Sequence, residues 1–129
     1  MDTLASDRRR LLSASSLASD RVINKTGEDL GKVRDIMIDI VHGRVGYVVL
    51  SFGGVLGIGD KLFAVPWDKI TVDEDREALV LDVTKNVLEQ APGFDKDNWP
   101  DMADPDWGSQ IHAYYEVSPY WQYGSERRP

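Results

Sequence analysis

Apolar and polar residues alternate along the first two thirds of the chain with the two-residue period of a β-strand. In KVRDIMIDIV (32–41), Ile36, Ile38 and Ile40 alternate with two aspartates and a methionine, the pattern of a strand with one buried face. A glycine turn in VHGRV precedes VGYVVLSF (45–52), which is rich in β-branched and aromatic residues. So short a link cannot make a parallel crossover, so the two strands are expected to form an antiparallel hairpin.

Several shorter segments also have strand-like patterns. DRVINKTGEDLGKV (20–33) predicts a strand and a turn at Gly27, and KLFAVPW, KITV and ALVLDV predict three more strands before residue 84. Short strands separated by turns every 8 to 12 residues are typical of a small barrel or sandwich. Barrel closure would also remove unpaired sheet edges. We therefore expect a mainly β fold, a small barrel of five or six antiparallel strands.

The pattern changes to helical after Val83. TKNVLEQA (84–91) predicts a short helix with Thr84 as its N-cap. The following segment is rich in proline and aspartate and is expected to be a loop. A second helix is expected to start after Asp104, its N-cap, with Pro105 in the first helical position.

Aromatic residues are concentrated in this last part of the chain. On the second helix Trp107, Ile111, Tyr114 and Tyr115 form one apolar stripe at i, i+4, i+7 and i+8. The candidate interaction surface consists of Trp99, Trp107, Ile111, Tyr114, Tyr115, Tyr120 and Trp121. Aromatic residues are enriched in interface cores. These side chains could equally wrap the chain's own barrel, and the sequence leaves both roles open.

The length, charge and amino-acid composition of the chain exclude several classes of function. The 129 residues suffice for one domain with a single core. A net charge of −7 argues against a protein that binds nucleic acid through the phosphates, because such binding surfaces are usually basic. The absence of cysteine excludes disulfides and thiolate metal sites and fits a reducing compartment. No stretch of the sequence has the roughly 18 to 20 apolar residues that a membrane span requires. The first residues also contain no apolar run typical of a secretory signal. We expect a cytoplasmic protein.

The glycine-rich stretch SFGGVLGIGDKLFAVPW (51–67) could indicate a phosphate-binding loop. Gly54 and Gly59 have the Walker spacing, but Asp60 stands where lysine is required. A dinucleotide fingerprint needs a helix after its glycines, whereas a strand is predicted here. The stretch is therefore interpreted as a connection within a hairpin.

The other candidate sites are equally weak. Asp35 and Asp39 lie on one strand face about 13 Å apart, too far for a glycosidase pair, and are expected to face solvent. DKDNWPD (95–101) departs from a calcium loop at its fifth and sixth positions. His42 and His112 have no neighbours at triad or zinc spacing and are expected to be exposed or simply hydrogen-bonded. No catalytic, cofactor-binding or metal-binding residue is predicted.

Several of these segments together resemble the PRC-barrel family, small β-barrels named after the cytoplasmic domain of the photosynthetic reaction-centre H subunit. The matching segments are GEDLGKV (27–33), the strand 35–39, GRVGYVVLSFGG (43–54) and GIGDKLFAVPW (57–67). APGFDKDNWPDMADPDWG (91–108) is similar to the extension of stand-alone bacterial members. The first residues have no apolar run and are interpreted as a mobile tail at 1–13. The resemblance implies a barrel at 14–85 and a helical, aromatic extension at 86–129.

The resemblance implies a docking module without a catalytic motif. We therefore expect a non-catalytic adaptor that binds another protein or itself, with a homodimer favoured. One alternative is a factor associated with RNA metabolism or ribosome assembly, which the acidic composition disfavours. A second is a barrel that binds a small molecule or a metal, although a barrel this small is usually filled by its own side chains.

Overall fold

The computed structural model describes residues 11–18, 20–52 and 61–122, and within these ranges the backbone forms one seven-stranded sheet. The strands are β1 (Arg21–Ile23), β2 (Asp29–Asp39), β3 (Arg44–Phe52), β4 (Lys61–Pro66), β5 (Ile70–Asp73), β6 (Ala78–Leu81) and β7 (Phe94–Asp95). The helices are α1 (Ala14–Ala18), α2 (Lys85–Glu89) and α3 (Pro105–Tyr114), with one 3-10 turn at Trp67–Lys69.

The sheet has the order β5-β6-β1-β2-β3-β4-β7. The predicted hairpin of β2 and β3 is confirmed, with Ile36 opposite Val48 and Asp39 opposite Arg44. All described pairings are antiparallel except β1 with β6, which run parallel. The mainly β fold with short C-terminal helices is confirmed. The prediction of only antiparallel strands missed the β1–β6 pair, which joins segments more than 50 residues apart.

The core lies between the central strands and the C-terminal extension. Residues 47–50 of β3 and 62–65 of β4 are buried without interruption, so both faces of these strands are covered. Leu88, Ile111 and Tyr115 from the extension belong to the same buried cluster as the strand residues. Each such side chain contributes about 1.5–3 kcal/mol through burial. The extension is therefore part of the same core as the sheet.

The strand β2 differs from the expectation of a buried isoleucine face. Ile38 is 58% exposed and Ile40 is 88% exposed, whereas Met37 packs against the core. The β2–β3 register shifts between Val33 and Asp35 and again between Met37 and Ile38. Such bulges reverse which side chains face the core. The simple alternation therefore gave the wrong buried face at the end of β2.

The helix starts agree with the predicted caps. Thr84 Oγ1 accepts a hydrogen bond from the backbone N–H of Val87 at 3.2 Å, and Asp104 Oδ1 accepts one from Asp106 at 2.9 Å. The segment before α3 was expected to be a loop, but it contributes β7, which pairs with β4. α1 was not predicted. Residues 53–60, interpreted above as a hairpin connection, lie outside the described residues.

Candidate functional site

A groove of about 840 Å³ lies between the end of the β2–β3 hairpin and the loop that leads into α3. Its apolar walls include Met37, Ile38, Trp99 and Met102. Acidic side chains at positions 39, 101 and 104 and the aromatic rings of Tyr47, Tyr120 and Trp121 complete the lining. The volume is within the range of protein binding pockets. We call this feature the apolar groove.

The carboxylate of Asp39 joins the hairpin to the C-terminal extension. Its Oδ1 accepts hydrogen bonds from the backbone N–H groups of Val41 and His42, both at 2.9 Å. Its Oδ2 accepts one from His42 Nδ1 at 3.0 Å and one from the Tyr120 hydroxyl at 2.5 Å. Asp39 was expected to face solvent, and this expectation is wrong because Tyr120, 81 residues away, covers it.

This contact shifts the protonation equilibria of both partners. Partial burial opposes ionisation of Asp39, but the hydrogen bonds from Tyr120, His42 and Val41 outweigh it and lower the pKa of Asp39 to about 2. Burial, followed by the bond to the Asp39 carboxylate, raises the pKa of Tyr120. The pair is therefore a carboxylate and a neutral phenol at neutral pH, the protonation states that the short hydrogen bond requires.

A cation also packs on this tyrosine. The Arg44 guanidinium lies 4.5 Å from the centroid of the Tyr120 ring, and its Nη2 donates to Asp68 Oδ1 at 2.9 Å. Arg44 is thereby held by an aromatic face and a carboxylate at once. The ring of Tyr120 thus packs against Arg44 while its hydroxyl donates to Asp39.

Beneath the groove an aromatic cluster joins β3 to α3. The ring of Tyr47 makes edge contacts with Trp107, His112 and Tyr120 at centroid distances of 5.2, 5.5 and 6.4 Å. A Cβ atom at Gly108 would lie 2.7 Å from both the Tyr47 hydroxyl and the Trp121 ring. Glycine at this position therefore lets the helix approach β3 closely enough for the cluster to form.

The two histidines differ in environment. His42 lies in the hairpin turn and is half-buried against Asp39. His112 is completely buried, and its Nδ1 donates to the carbonyl oxygen of Gly108 at 2.8 Å. Burial lowers the pKa of His112, so a neutral ring is favoured. His112 is therefore hydrogen-bonded, as one expectation held, but it is not exposed.

The seven predicted interaction residues divide into two groups. Ile111, Tyr115 and Tyr120 are buried within the chain itself, at 2%, 1% and 5% exposure. Trp107, Tyr114 and Trp121 are partly buried, and Trp99 is 38% exposed. Wrapping of the chain's own sheet thus accounts for the first group, whose side chains are not at the surface. An interchain role stays a prediction for the second group.

Sequence reasoning missed the most exposed apolar residues near the groove. Ile38, Ile40 and Val41 are 58%, 88% and 82% exposed and all line the apolar groove; we call these three residues the apolar tip. The available signal was IDIV (38–41) running directly into the turn before Gly43. Hairpin turns usually have polar residues there, so an apolar pair at this position departs from the usual pattern.

Two other kinds of site are absent from residues 11–18, 20–52 and 61–122. No group of three or more His, Asp or Glu side chains in these ranges could hold a metal ion. None of the helices in the same part of the chain has the length and apolar character needed to cross a membrane.

The chain is similar to a known protein family. A family model described as PRC-barrel domain matches residues 10–88. The matched region contains α1 and β1 to β6 and ends within α2, so β7, α3 and the loop side of the apolar groove follow it. No curated protein matches the chain.

Proposed function

We propose that this chain, which belongs to the PRC-barrel domain family, is a non-catalytic protein–protein interaction module that forms a homodimer. The surface that carries the association is the apolar tip, together with the partly exposed Trp99, which lines the same groove. We also assign the protein to the cytoplasm, because a chain without cysteine fits a reducing compartment.

The apolar tip is the observation that supports this proposal. Ile38, Ile40 and Val41 are each more than half exposed and occupy one end of the β2–β3 hairpin. Covering three such side chains would contribute on the order of 5 kcal/mol. An exposed apolar patch of this kind on a folded domain is typical of an interaction site.

The hydrogen bonds that hold the apolar tip in place support the same interpretation. Asp39 lies within residues 38–41, and its carboxylate accepts hydrogen bonds from the backbone N–H groups of Val41 and His42. These bonds fix the turn, so the exposed side chains are held in place before a partner arrives. An interface that is ordered in advance loses less conformational entropy on binding.

Analytical ultracentrifugation of the wild type and of Ile40→Asp with Val41→Asp tests the proposal. Because both side chains are exposed, the variant is expected to keep the wild-type circular dichroism spectrum. The wild type should sediment as a dimer, and the variant as a monomer at the same concentration.

Val87→Asp serves as the matched control. Val87 is also exposed, at 36%, but it lies on α2 and does not line the apolar groove. This variant should remain dimeric. A monomeric wild type would contradict the homodimer, and equal dissociation of both variants would contradict the assignment to the apolar tip.

A further inference from the structure

We propose that residues 8–12 (RRRLL) of a second copy dock into the apolar groove. We call this segment the basic arm. The inference rests on the proposed homodimer and names the segment that one protomer would contribute to the other.

The groove combines apolar walls with an acidic lip. Asp101 and Asp104 are exposed and line it on the loop side, and Asp39 lines it on the hairpin side. The cationic or titratable groups nearby are already engaged: His42 is bonded to Asp39, and Arg44 is stacked on a ring and paired with Asp68. The groove therefore favours an occupant that is both apolar and basic.

The chain contains a segment with this combination. Arg8, Arg9 and Arg10 are followed directly by Leu11 and Leu12. Guanidinium groups bind carboxylates through paired hydrogen bonds and stack on aromatic rings, and the groove offers both partners. Five extended residues span about 17 Å. The leucines fit the apolar walls, and the arginines match the acidic lip.

The exposure of the leucines favours docking between copies over docking within one chain. Leu11 is 94% exposed and Leu12 is 44% exposed, so Leu11 makes almost no contact with its own chain. Ser13 Oγ accepts a hydrogen bond from the Ser16 N–H at 3.1 Å at the start of α1. With this cap α1 begins at Ala14, so Leu11 and Leu12 lie before the helix and outside it.

A charge exchange tests the inference on the full chain. In the acidic-arm variant Arg8, Arg9 and Arg10 are replaced by Glu. In the basic-groove variant Asp101→Lys is combined with Ala103→Lys, both exposed positions that line the groove. Each variant alone should dissociate with a Kd about tenfold or more above that of the wild type, from the loss of several exposed charge pairs. An equimolar mixture should regain the wild-type Kd, because both arms then meet a groove of opposite charge.

A control for the three arginines of the basic arm is the pair Arg127 and Arg128. Arg127→Glu with Arg128→Glu removes positive charge from a segment that has no adjacent leucines. This variant should keep the wild-type Kd. A loss as large as that of the acidic-arm variant would show that net charge, and not the basic arm, controls association, and would overturn the inference.

A fluorescent peptide with the sequence of residues 6–14 gives a second readout that does not depend on the folding of the basic-groove variant. It should bind the acidic-arm variant and lose binding when its three arginines are replaced by glutamate. If the wild type is a dimer and the acidic-arm variant has the same Kd, the docking of the basic arm is overturned and the homodimer is not. The docking of the basic arm is also overturned if the equimolar mixture of the two variants does not regain the wild-type Kd. Equal binding of the arginine peptide and the glutamate peptide would overturn it as well. A monomeric wild type overturns the homodimer as well.

Discussion

Replacing Tyr120 by phenylalanine would remove one hydroxyl group and keep the ring. The hydroxyl donates to Asp39 at 2.5 Å, and this bond connects the C-terminal extension to the β2–β3 hairpin. The ring would keep its contacts with Arg44 and Tyr47. The change therefore isolates a hydrogen bond to a carboxylate from the packing around it.

The size of the effect follows from the pKa of Asp39. A folded-state pKa of about 2 against the ordinary 3.8 corresponds to about 2.5 kcal/mol of net stability at neutral pH, after the opposing effect of burial is subtracted from that of the hydrogen-bond donors. Because the folded pKa is lowered, this stability is present above the unfolded value and is lost as the pH falls towards about 2. A hydrogen bond to a charged group contributes about 1.5–3 kcal/mol, so we expect Tyr120→Phe to cost about 1.5–2 kcal/mol at pH 7.

The loss in free energy of unfolding is measured by urea denaturation, followed by tryptophan fluorescence. The measurement uses one protein concentration and several pH values. The difference between the wild type and Tyr120→Phe should be constant from neutral pH to about pH 5 and should shrink between about pH 4 and pH 2. Tyr114→Phe is the matched control, because its hydroxyl donates to the neutral carbonyl of Val87 at 2.6 Å. Its smaller cost should not depend on pH. A cost for Tyr120→Phe that is equally independent of pH would refute the link to the Asp39 carboxylate.

Three further substitutions, one of them a control, test the packing of the sheet and the extension. Gly31 has a φ of +112°, and a Cβ atom there would overlap the carbonyl oxygen of Ser51, so Gly31→Ala should cost about 3 kcal/mol or more in urea denaturation. Gly27→Ala, at a φ of +89° with no atom within 4 Å of the new Cβ, should cost only about 1–2 kcal/mol, and equal costs would contradict the close approach. The Tyr115 hydroxyl is buried without a hydrogen-bond partner among the described residues. Tyr115→Phe should therefore change the thermal midpoint little or raise it, and a large decrease would indicate an unseen partner.

Local patterns in the sequence were sufficient for most of the strands and helices. The β2–β3 hairpin was predictable because its turn is short and both flanks are rich in β-branched residues. The starts of α2 and α3 were predictable because Thr84 and Asp104 are good caps and their hydrogen bonds are local. These features depend on residues close together in the chain.

The groove was not predictable for two physical reasons. First, the bulge between Met37 and Ile38 changes the face on which Ile38 lies, and a bulge leaves no clear mark in the pattern of polar and apolar residues. Second, the partner of Asp39 is Tyr120, far away in sequence. An aspartate on a strand is exposed unless another segment covers it, and single-sequence periodicity contains no information about that segment.

The role of the aromatic residues in the extension was open for a similar reason. A stripe of apolar side chains on α3 indicates that one face of the helix is covered, but not by which chain. The burial of Ile111 and Tyr115 against β-strand residues of the same chain accounts for that stripe. The exposed apolar side chains that line the apolar groove are those of the apolar tip, from the β2–β3 hairpin, and that of Trp99.

Methyl NMR spectra of isoleucine and valine, recorded from low to high protein concentration, test the proposed interaction surface most directly. Ile38, Ile40 and Val41 should shift progressively as the dimer forms, whereas the methyl groups of Val87 on α2 and of the buried Val48 should stay constant. Shifts confined to the extension or to α2, or no dependence on concentration at all, would contradict the assignment of the apolar tip as the dimer interface.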